Sequence, residues 1–187
     1  MIEIEETALP GVLIITPPRH ADDRGFFSES WNRQSLSKAG IELPDFVQDN
    51  HCLSHQSGTL RGLHYQAPPH AQGKLVRCGR GRVYDVAVDV REGSPTYGQR
   101  IGEELSFENG RQLWIPAGFL HGFVTREPDT EVIYKCTAHY DCASDGAVCW
   151  DSLGIDWGIA EPVLSEKDRA APAFADWKTP FIYEGHT

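Results

Sequence analysis

Short apolar segments rich in β-branched and aromatic residues recur along this 187-residue chain. The clearest of them are rich in Val, Ile, Tyr and Trp, and they span residues 82–90, 112–115, 122–125 and 131–136. Turn sequences that contain glycine separate them, for example at residues 79–81 and 116–118. Short runs of β-branched and aromatic residues that are separated by regular turns are typical of many short strands. The pattern therefore predicts an all-β sandwich or barrel.

Helical patterning is confined to two short segments. One runs from Arg33 to Ala39 and is ended by Gly40, and the other lies near residues 166–171 with Ser165 as its N-cap. Glycine and proline are spread along the chain rather than gathered in a linker. We therefore predict one domain over residues 1–187 with a few short peripheral helices.

Composition and charge narrow the class of protein further. The chain has 17 Lys and Arg residues and 27 Asp and Glu residues, so its formal net charge is −10. This charge argues against a nucleic-acid partner. It still permits an anionic small molecule to bind in a basic pocket. The five cysteines form no C-x-x-C pair, which is typical of reduced thiols in a cytosol. The apolar stretch at residues 12–15 is too short to span a membrane. We expect a soluble, cytoplasmic protein without a membrane partner.

The segment at residues 58–66 carries the densest candidate chemistry, with Arg61 and His64 on one short strand. Residues three apart in a regular strand point to opposite faces, so the two could share a pocket only if the strand is distorted. Gly62, between them, is where a β-bulge would cost least. We interpret His64 as a general base and Arg61 as a cation beside it. The alternative is that His64 is structural and Arg61 lies at the surface.

A second segment ends in His121, with the spacing P-x-G-x-x-H from Pro116. It resembles the second half of the cupin signature, which occurs on a jelly roll. Metal-binding cupins carry H-x-H in the earlier motif, whereas this chain has Gln66 two residues after His64. We therefore predict a cupin without a metal, although histidines elsewhere in the chain could still supply a ligand.

Gln48, Asn50 and Lys74 could form polar walls of a pocket. With a period of two, the two amides share a face with Phe46 and are suited to hydrogen-bond a sugar or a base. Lys74 follows a glycine at the start of an alternating strand. The alternative is an ordinary solvent-exposed face, the commonest fate of lysine.

Tyr134 and Asp168 are candidates for proton chemistry. Tyr134 shares a face with Val132 and Cys136, so it is predicted on the inner face of the barrel, where it could act as an acid or merely pack. Asp168 could orient a histidine ring, or it could simply favour a helix N-terminus. Tyr140 could serve as a stacking platform.

The order of these motifs is similar to that of the dTDP-4-dehydrorhamnose 3,5-epimerase family, the dTDP-sugar isomerase branch of the cupins. The resemblance runs from about Leu9 to Asp168. It rests on residues 23–29, 46–50, 60–66, 72–74, 115–123, 134–135 and 164–168.

The resemblance implies roles for individual residues. His64 matches the catalytic base, Asp168 the carboxylate that orients it, Tyr134 the acid on the other face of the sugar, and Lys74 the cation near O4. Substrate contacts are implied for Arg24, Glu29, Gln48, Asn50, Arg61, His121, Tyr140, Asp145 and Lys167. Tyr140 matches the residue that stacks on thymine, and His139 departs from the tyrosine that many members have there.

The implied activity is epimerisation of dTDP-4-keto-6-deoxy-D-glucose at C3 and C5 to dTDP-4-keto-L-rhamnose, with no metal and no cofactor. The implied assembly is a homodimer in which the strand at residues 11–15 is exchanged between subunits. Four alternatives stay open: an epimerase acting at C3 or C5 only, a 3,4-ketoisomerase, a metal-dependent cupin oxygenase and a non-catalytic sugar-nucleotide-binding cupin.

Overall fold

Thirteen strands make up most of the regular structure in the computed structural model, which describes residues 1–185. The first seven strands are β1 (Glu3–Glu6), β2 (Leu13–Thr16), β3 (His20–Asp22), β4 (Gly25–Phe27), β5 (Gln48–Ser54), β6 (Leu60–Gln66) and β7 (Lys74–Arg80). The others are β8 (Arg82–Asp89), β9 (Arg100–Ser106), β10 (Gln112–Ile115), β11 (Phe119–Thr125), β12 (Thr130–Cys136) and β13 (Asp145–Ala147). Helices α1 (Arg33–Lys38) and α2 (Glu166–Arg169) and a 3₁₀ turn (Phe174–Asp176) complete the described elements. The two predicted helices are confirmed, including Ser165 as the N-cap of α2.

The strands form two facing antiparallel sheets. One has six strands in the order β1-β2-β10-β7-β12-β5, and the other has five in the order β13-β6-β11-β8-β9. Strands β3 and β4 form a separate hairpin. Neighbours such as β10 and β7 are distant in sequence, as they are in a jelly roll. The predicted all-β, cupin-type fold is confirmed.

An apolar core fills the space between the sheets. Val76 and Val132 of the six-stranded sheet belong to the same buried cluster as Val83, Leu105 and Phe123 of the five-stranded sheet. The inner face becomes polar where Lys74, Cys136 and Gln48 are neighbours across β7, β12 and β5. The space between the sheets is therefore lined by apolar side chains in one part and by polar side chains in another.

Other segments cover the outer faces of both sheets. Trp157 and Phe181 of the C-terminal segment pack on the five-stranded sheet, and Leu36 of α1 packs on the six-stranded sheet. Phe46 lies on that outer side against Trp114. The prediction that Phe46 shares a face with Gln48 and Asn50 is therefore wrong, because β5 begins only at Gln48.

The apolar segment at residues 11–15 pairs within its own chain. Strand β2 lies between β1 and β10, and Ile14 and Ile15 are buried in two clusters of the same chain. Exchange of this strand between subunits stays a prediction, because a partner's identical strand would place the same side chains in the same clusters. No helix within residues 1–185 has the length and apolar character needed to cross a membrane.

Candidate functional site

A β-bulge in β6 brings Arg61 and His64 to the same face. His64 pairs with His121 of β11, whereas Arg61 pairs with Phe123, so the register shifts between these positions. Gly62 absorbs the shift with φ of +138°, a conformation that residues with a Cβ rarely adopt. The predicted distortion at Gly62 is confirmed, and both side chains line the same cavity.

The His64 ring is held by a buried carboxylate. Nε2 of His64 lies 2.5 Å from Oδ1 of Asp168, and the Asp168 side chain is only 3% exposed. Ser165 caps α2 through the backbone N–H of Asp168 and donates its hydroxyl hydrogen to Oδ2 of the same carboxylate at 2.9 Å. Burial raises the pKa of Asp168, but the hydrogen bonds from His64 and Ser165 outweigh it and hold that pKa below its ordinary value. The carboxylate is thus kept ionised, and it bonds to Nε2 of His64, while Nδ1 has no hydrogen-bond partner among residues 1–185.

Tyr134 and Lys74 line the same cavity from the six-stranded sheet. Burial raises the pKa of Tyr134 to about 12, and Arg61 and Asn50 oppose this rise only in part. Burial also lowers the pKa of Lys74 from its ordinary value. The Lys74 ammonium is 5.9 Å from the centre of the Tyr134 ring. A neutral phenol and a poorly hydrated cation therefore occur side by side, across the space from His64.

Two amides extend this wall along the inner face of β5. Nε2 of Gln48 donates to Oδ1 of Asn50 at 3.1 Å, and Nδ2 of Asn50 donates to Sγ of Cys136 at 3.4 Å. Oε1 of Gln48 accepts from the backbone N–H of Tyr140 at 2.8 Å. The chain of hydrogen bonds fixes the loop that carries Tyr140 relative to the cavity.

Tyr140, Asp145 and Lys167 form a cluster next to the cavity. The hydroxyl of Tyr140 is 3.3 Å from Oδ2 of Asp145, which also accepts from the Lys167 ammonium. Lys167 lines the cavity, while the Tyr140 side chain is largely exposed. An exposed aromatic ring flanked by paired charges is suited to stack on a planar base at the cavity mouth.

His121 lies deeper in the cavity and bonds to Asp85 of β8. Its Nε2 is 2.9 and 3.0 Å from the two oxygens of Asp85. The cavity has a volume of about 370 Å³, enough for the sugar part of a ligand. Among residues 1–185, no three His, Cys, Asp or Glu side chains lie close enough together to hold a metal ion.

Arg24 and Glu29 lie away from this cavity. Of the other residues predicted to contact substrate, Arg61, His121 and Lys167 line it, whereas Gln48, Asn50, Tyr140 and Asp145 lie beside it. Arg24 is in the β3–β4 hairpin, where its side chain is 89% exposed and pairs with Asp22. Glu29 accepts from the Asn32 side chain and borders a different, apolar cavity beside α1. The expectation that Arg24 lines the pocket with Arg61 and Lys74 is therefore not met within this chain.

Lining residues missed in the sequence include Cys52, Phe123 and Ser165. Asp85, which is buried and bonds to the lining residue His121, was missed as well. Cys52 follows Asn50 by two positions, so period-two alternation could have indicated it. Asp85 stands in the apolar run of β8, where a carboxylate signals a buried partner. No pattern in the sequence marked Phe123 or Ser165 as residues that line the cavity.

The fold and its polar cavity define a cupin-like protein, and comparisons with known proteins assign its family. Residues 6–176 match the family described as dTDP-4-dehydrorhamnose 3,5-epimerase. The enzyme of that name from Salmonella typhimurium is 50% identical over 175 residues, which cover 92% of this chain and 95% of the relative. The one from Pseudomonas aeruginosa is 51% identical over 172 residues, covering 90% and 94%.

Solved structures agree with the sequence comparisons. The dTDP-6-deoxy-D-glucose-3,5-epimerase of Legionella pneumophila, in complex with dTDP-4-keto-L-rhamnose, is similar to this chain with a TM-score of 0.92 and 43% identity. The match covers 99% of this chain and 100% of that one. The chain belongs to the dTDP-4-dehydrorhamnose 3,5-epimerase family, whose members are isomerases, and the predicted resemblance and enzyme class are confirmed.

Proposed function

We propose that the protein epimerises dTDP-4-keto-6-deoxy-D-glucose at C3 and C5 to give dTDP-4-keto-L-rhamnose in dTDP-L-rhamnose biosynthesis. The observation that carries the proposal is one cavity in which a histidine–carboxylate pair, His64 and Asp168, lies across from Tyr134 and Lys74. The names of the relatives support the same substrate class.

His64 is the proposed base. The C4 ketone of the substrate acidifies the hydrogens on C3 and C5, because the electron pair of either broken C–H bond delocalises onto O4 as an enolate. Nδ1 of His64 takes the proton, and Asp168 stabilises the imidazolium that results. Since both carbons flank C4, one base could serve both steps after a modest shift of the ring.

Lys74 and Tyr134 complete the proposed steps from the opposite wall. The ammonium of Lys74 stabilises negative charge on O4 in a site where little water competes. Tyr134 returns a proton to the carbon from the face opposite His64, which inverts the configuration. Its pKa of about 12 keeps the phenol protonated over the physiological range, as a proton donor must be. The ketone provides the activation, so the proposed reaction uses no metal or redox cofactor.

The nucleotide is proposed to lie at the mouth of the cavity. Tyr140 would stack on thymine, and Arg61, whose guanidinium is anchored by Ser54 and the carbonyl of Leu53, would bind the diphosphate. Arg61, Lys74 and Lys167 give the cavity a positive lining inside a chain of net charge −10. A positively charged cavity in a negatively charged protein suits a dianionic nucleotide sugar.

The decisive test is incubation with dTDP-4-keto-6-deoxy-D-glucose in D₂O, followed by mass spectrometry and NMR. Deuterium at both C3 and C5 with an L-configured product supports the proposal. Deuterium at one carbon only would instead support an epimerase acting at C3 or C5. A protein that binds the nucleotide sugar without any exchange would be the non-catalytic alternative, and loss of activity on chelation would favour a metal-dependent enzyme.

Tyr134→Phe tests whether His64 acts as the base and Tyr134 as a separate acid. Without the hydroxyl, His64 can still remove a proton and return deuterium on the same face, so exchange should persist while inversion falls. NMR of the product measures both quantities in one sample. Equal loss of exchange and inversion would count against Tyr134 as the acid.

We also propose that the protein acts as a homodimer, as the family resemblance implies. The resemblance implies that Arg24 contacts substrate, yet its side chain projects into solvent next to the exposed Phe27 of the same hairpin. A partner subunit would receive this hairpin at its own cavity. Mixing inactive His64→Ala and inactive Arg24→Ala subunits should then restore activity, because one site of each mixed dimer is intact. No recovery after subunit exchange would contradict this arrangement.

A further inference from the structure

A second histidine–carboxylate pair lies in the cavity, and the steps proposed above give its carboxylate no role. Nε2 of His121 contacts both oxygens of Asp85, at 2.9 and 3.0 Å. The Asp85 side chain is 0% exposed and that of His121 only 8%. The pair is therefore shielded from water almost completely, unlike the His64 ring, which is 29% exposed.

The two pairs also differ in what else contacts the carboxylate. Asp168 accepts a hydrogen bond from the Ser165 hydroxyl as well as from His64. Among residues 1–185, His121 is the only hydrogen-bond donor to Asp85. Burying an ionised carboxylate costs several kcal/mol unless a cation is paired with it. Asp85 therefore depends on the His121 ring for its hydrogen bonds, whereas Asp168 shares its hydrogen bonds between His64 and Ser165.

The register of the five-stranded sheet places the two histidines side by side. His121 is the direct cross-strand partner of His64, and such partners have Cβ atoms about 4.5–5.5 Å apart. Asp85 also acts on Lys74 of the other sheet. Burial lowers the pKa of Lys74, and the negative charge of Asp85 is one of the influences that oppose this decrease. Asp85 therefore bonds to His121 and also acts electrostatically on Lys74. The other charged or titratable side chains that line it are Cys52, Arg61, His64, Tyr134, Lys167 and Asp168.

We propose that Asp85 is a positioning residue that holds His121 as an imidazolium with Nδ1 free, so that His121 and Lys74 together stabilise the enolate oxygen at C4. The proposal rests on the proposed function. O4 is attached to the carbon between C3 and C5, so a cationic donor next to the base serves both proton transfers. During each transfer the C–H bond breaks, its electron pair moves into the enolate, and the proton resides on His64. The charge on His121 does not change.

Asp85→Asn tests the proposal, with dTDP as the second probe. Losing one preorganised donor to an oxyanion lowers kcat about 100-fold or more. We expect deuterium exchange at C3 and C5 to fall by about that factor with KM nearly unchanged. The Kd of dTDP, measured by calorimetry, should stay within about twofold, because dTDP lacks the hexose. If His121 instead binds the diphosphate, dTDP affinity falls together with activity, and the proposal is overturned.

Asp89→Asn is the matched control. Asp89 lies on the same face of β8, is equally buried and pairs with Arg91 rather than with a cavity residue. This variant should lose stability but exchange deuterium at the wild-type rate at a temperature where it is folded. If Asp85→Asn does not fold, the double variant Asp85→Asn/His121→Gln replaces the ion pair with two neutral amides and should show the same loss of exchange.

Side-chain ¹⁵N NMR of the wild-type protein gives a readout that does not depend on any variant. We expect the nitrogen shifts of His121 at neutral pH to be those of an imidazolium, and a neutral ring would refute the proposal. Wild-type exchange rates in folded Asp85→Asn would refute it as well. Absence of exchange in the wild-type protein would instead overturn the proposed function itself.

Discussion

Replacing Gly62 with alanine tests whether the bulge in β6 sets the geometry of the cavity. A Cβ at this position would lie 2.5 Å from Cα of Gly122 and 2.9 Å from the carbonyl oxygen of His121. Ordinary carbon–carbon contacts lie at about 3.5–4.0 Å, so β6 and β11 would have to separate by about 1 Å. Both obstructing atoms belong to the backbone, so no side-chain rotation can relieve the clash.

The two consequences of Gly62→Ala can be estimated separately. Holding a non-glycine residue in this backbone region costs about 1–3 kcal/mol, and each kcal/mol lowers Tm by about 2–4 °C in a chain of this length. A displacement of about 1 Å at His64 and Arg61 can cost about 100-fold in rate. We therefore expect a moderate fall in Tm together with a much larger fall in deuterium exchange.

Gly93→Ala separates strain from displacement. Gly93 has φ of +86°, and a Cβ there would meet no atom within 4 Å. Its substitution should lower Tm through backbone strain alone and leave exchange unchanged. Calorimetry and exchange measured in D₂O on both variants complete the comparison. Full exchange activity in Gly62→Ala would refute the claim that the bulge aligns Arg61 with His64.

Three further predictions follow from the charged groups. Asp168→Asn should lower exchange by about 10³–10⁴-fold, because the His64 ring loses its orienting carboxylate, while calorimetry should show unchanged dTDP binding. Burial lowers the pKa of Lys74, so as pH rises its ammonium loses its charge below the ordinary lysine range. The rate of deuterium exchange should therefore fall at alkaline pH. In Lys74→Arg, whose side chain stays charged, this alkaline decrease should be absent from the pH–rate profile. Burial raises the pKa of Asp89, but hydrogen bonds led by Arg91 outweigh it and lower that pKa to about 2. Its stabilising effect, on the order of 2 kcal/mol, should be complete above about pH 4 and lost as pH falls through about 2. Urea unfolding should therefore show a gap between wild-type protein and Asp89→Asn that is constant from pH 7 to 5 and shrinks below pH 4.

The sequence by itself determined the fold class and most of the candidate site. Period-two alternation and glycine turns are local properties, so they indicated strands such as β8 and β12 directly. The capping signal at Ser165 is local as well, and it located α2. Even the bulge at Gly62 was predictable, because Arg61 and His64 can share a face only if the strand is interrupted between them.

Only the tertiary structure decided which side chains meet across long separations in the chain. Asp168 reaches His64 across 104 residues, and Asp85 reaches His121 from a different strand, because sheet order brings these segments together. The same long-range pairing places β2 beside β10, and the tertiary structure leaves Arg24 outside the cavity of its own chain. Local patterns carry no information about which strand pairs with which, since that choice depends on burying the whole core at once.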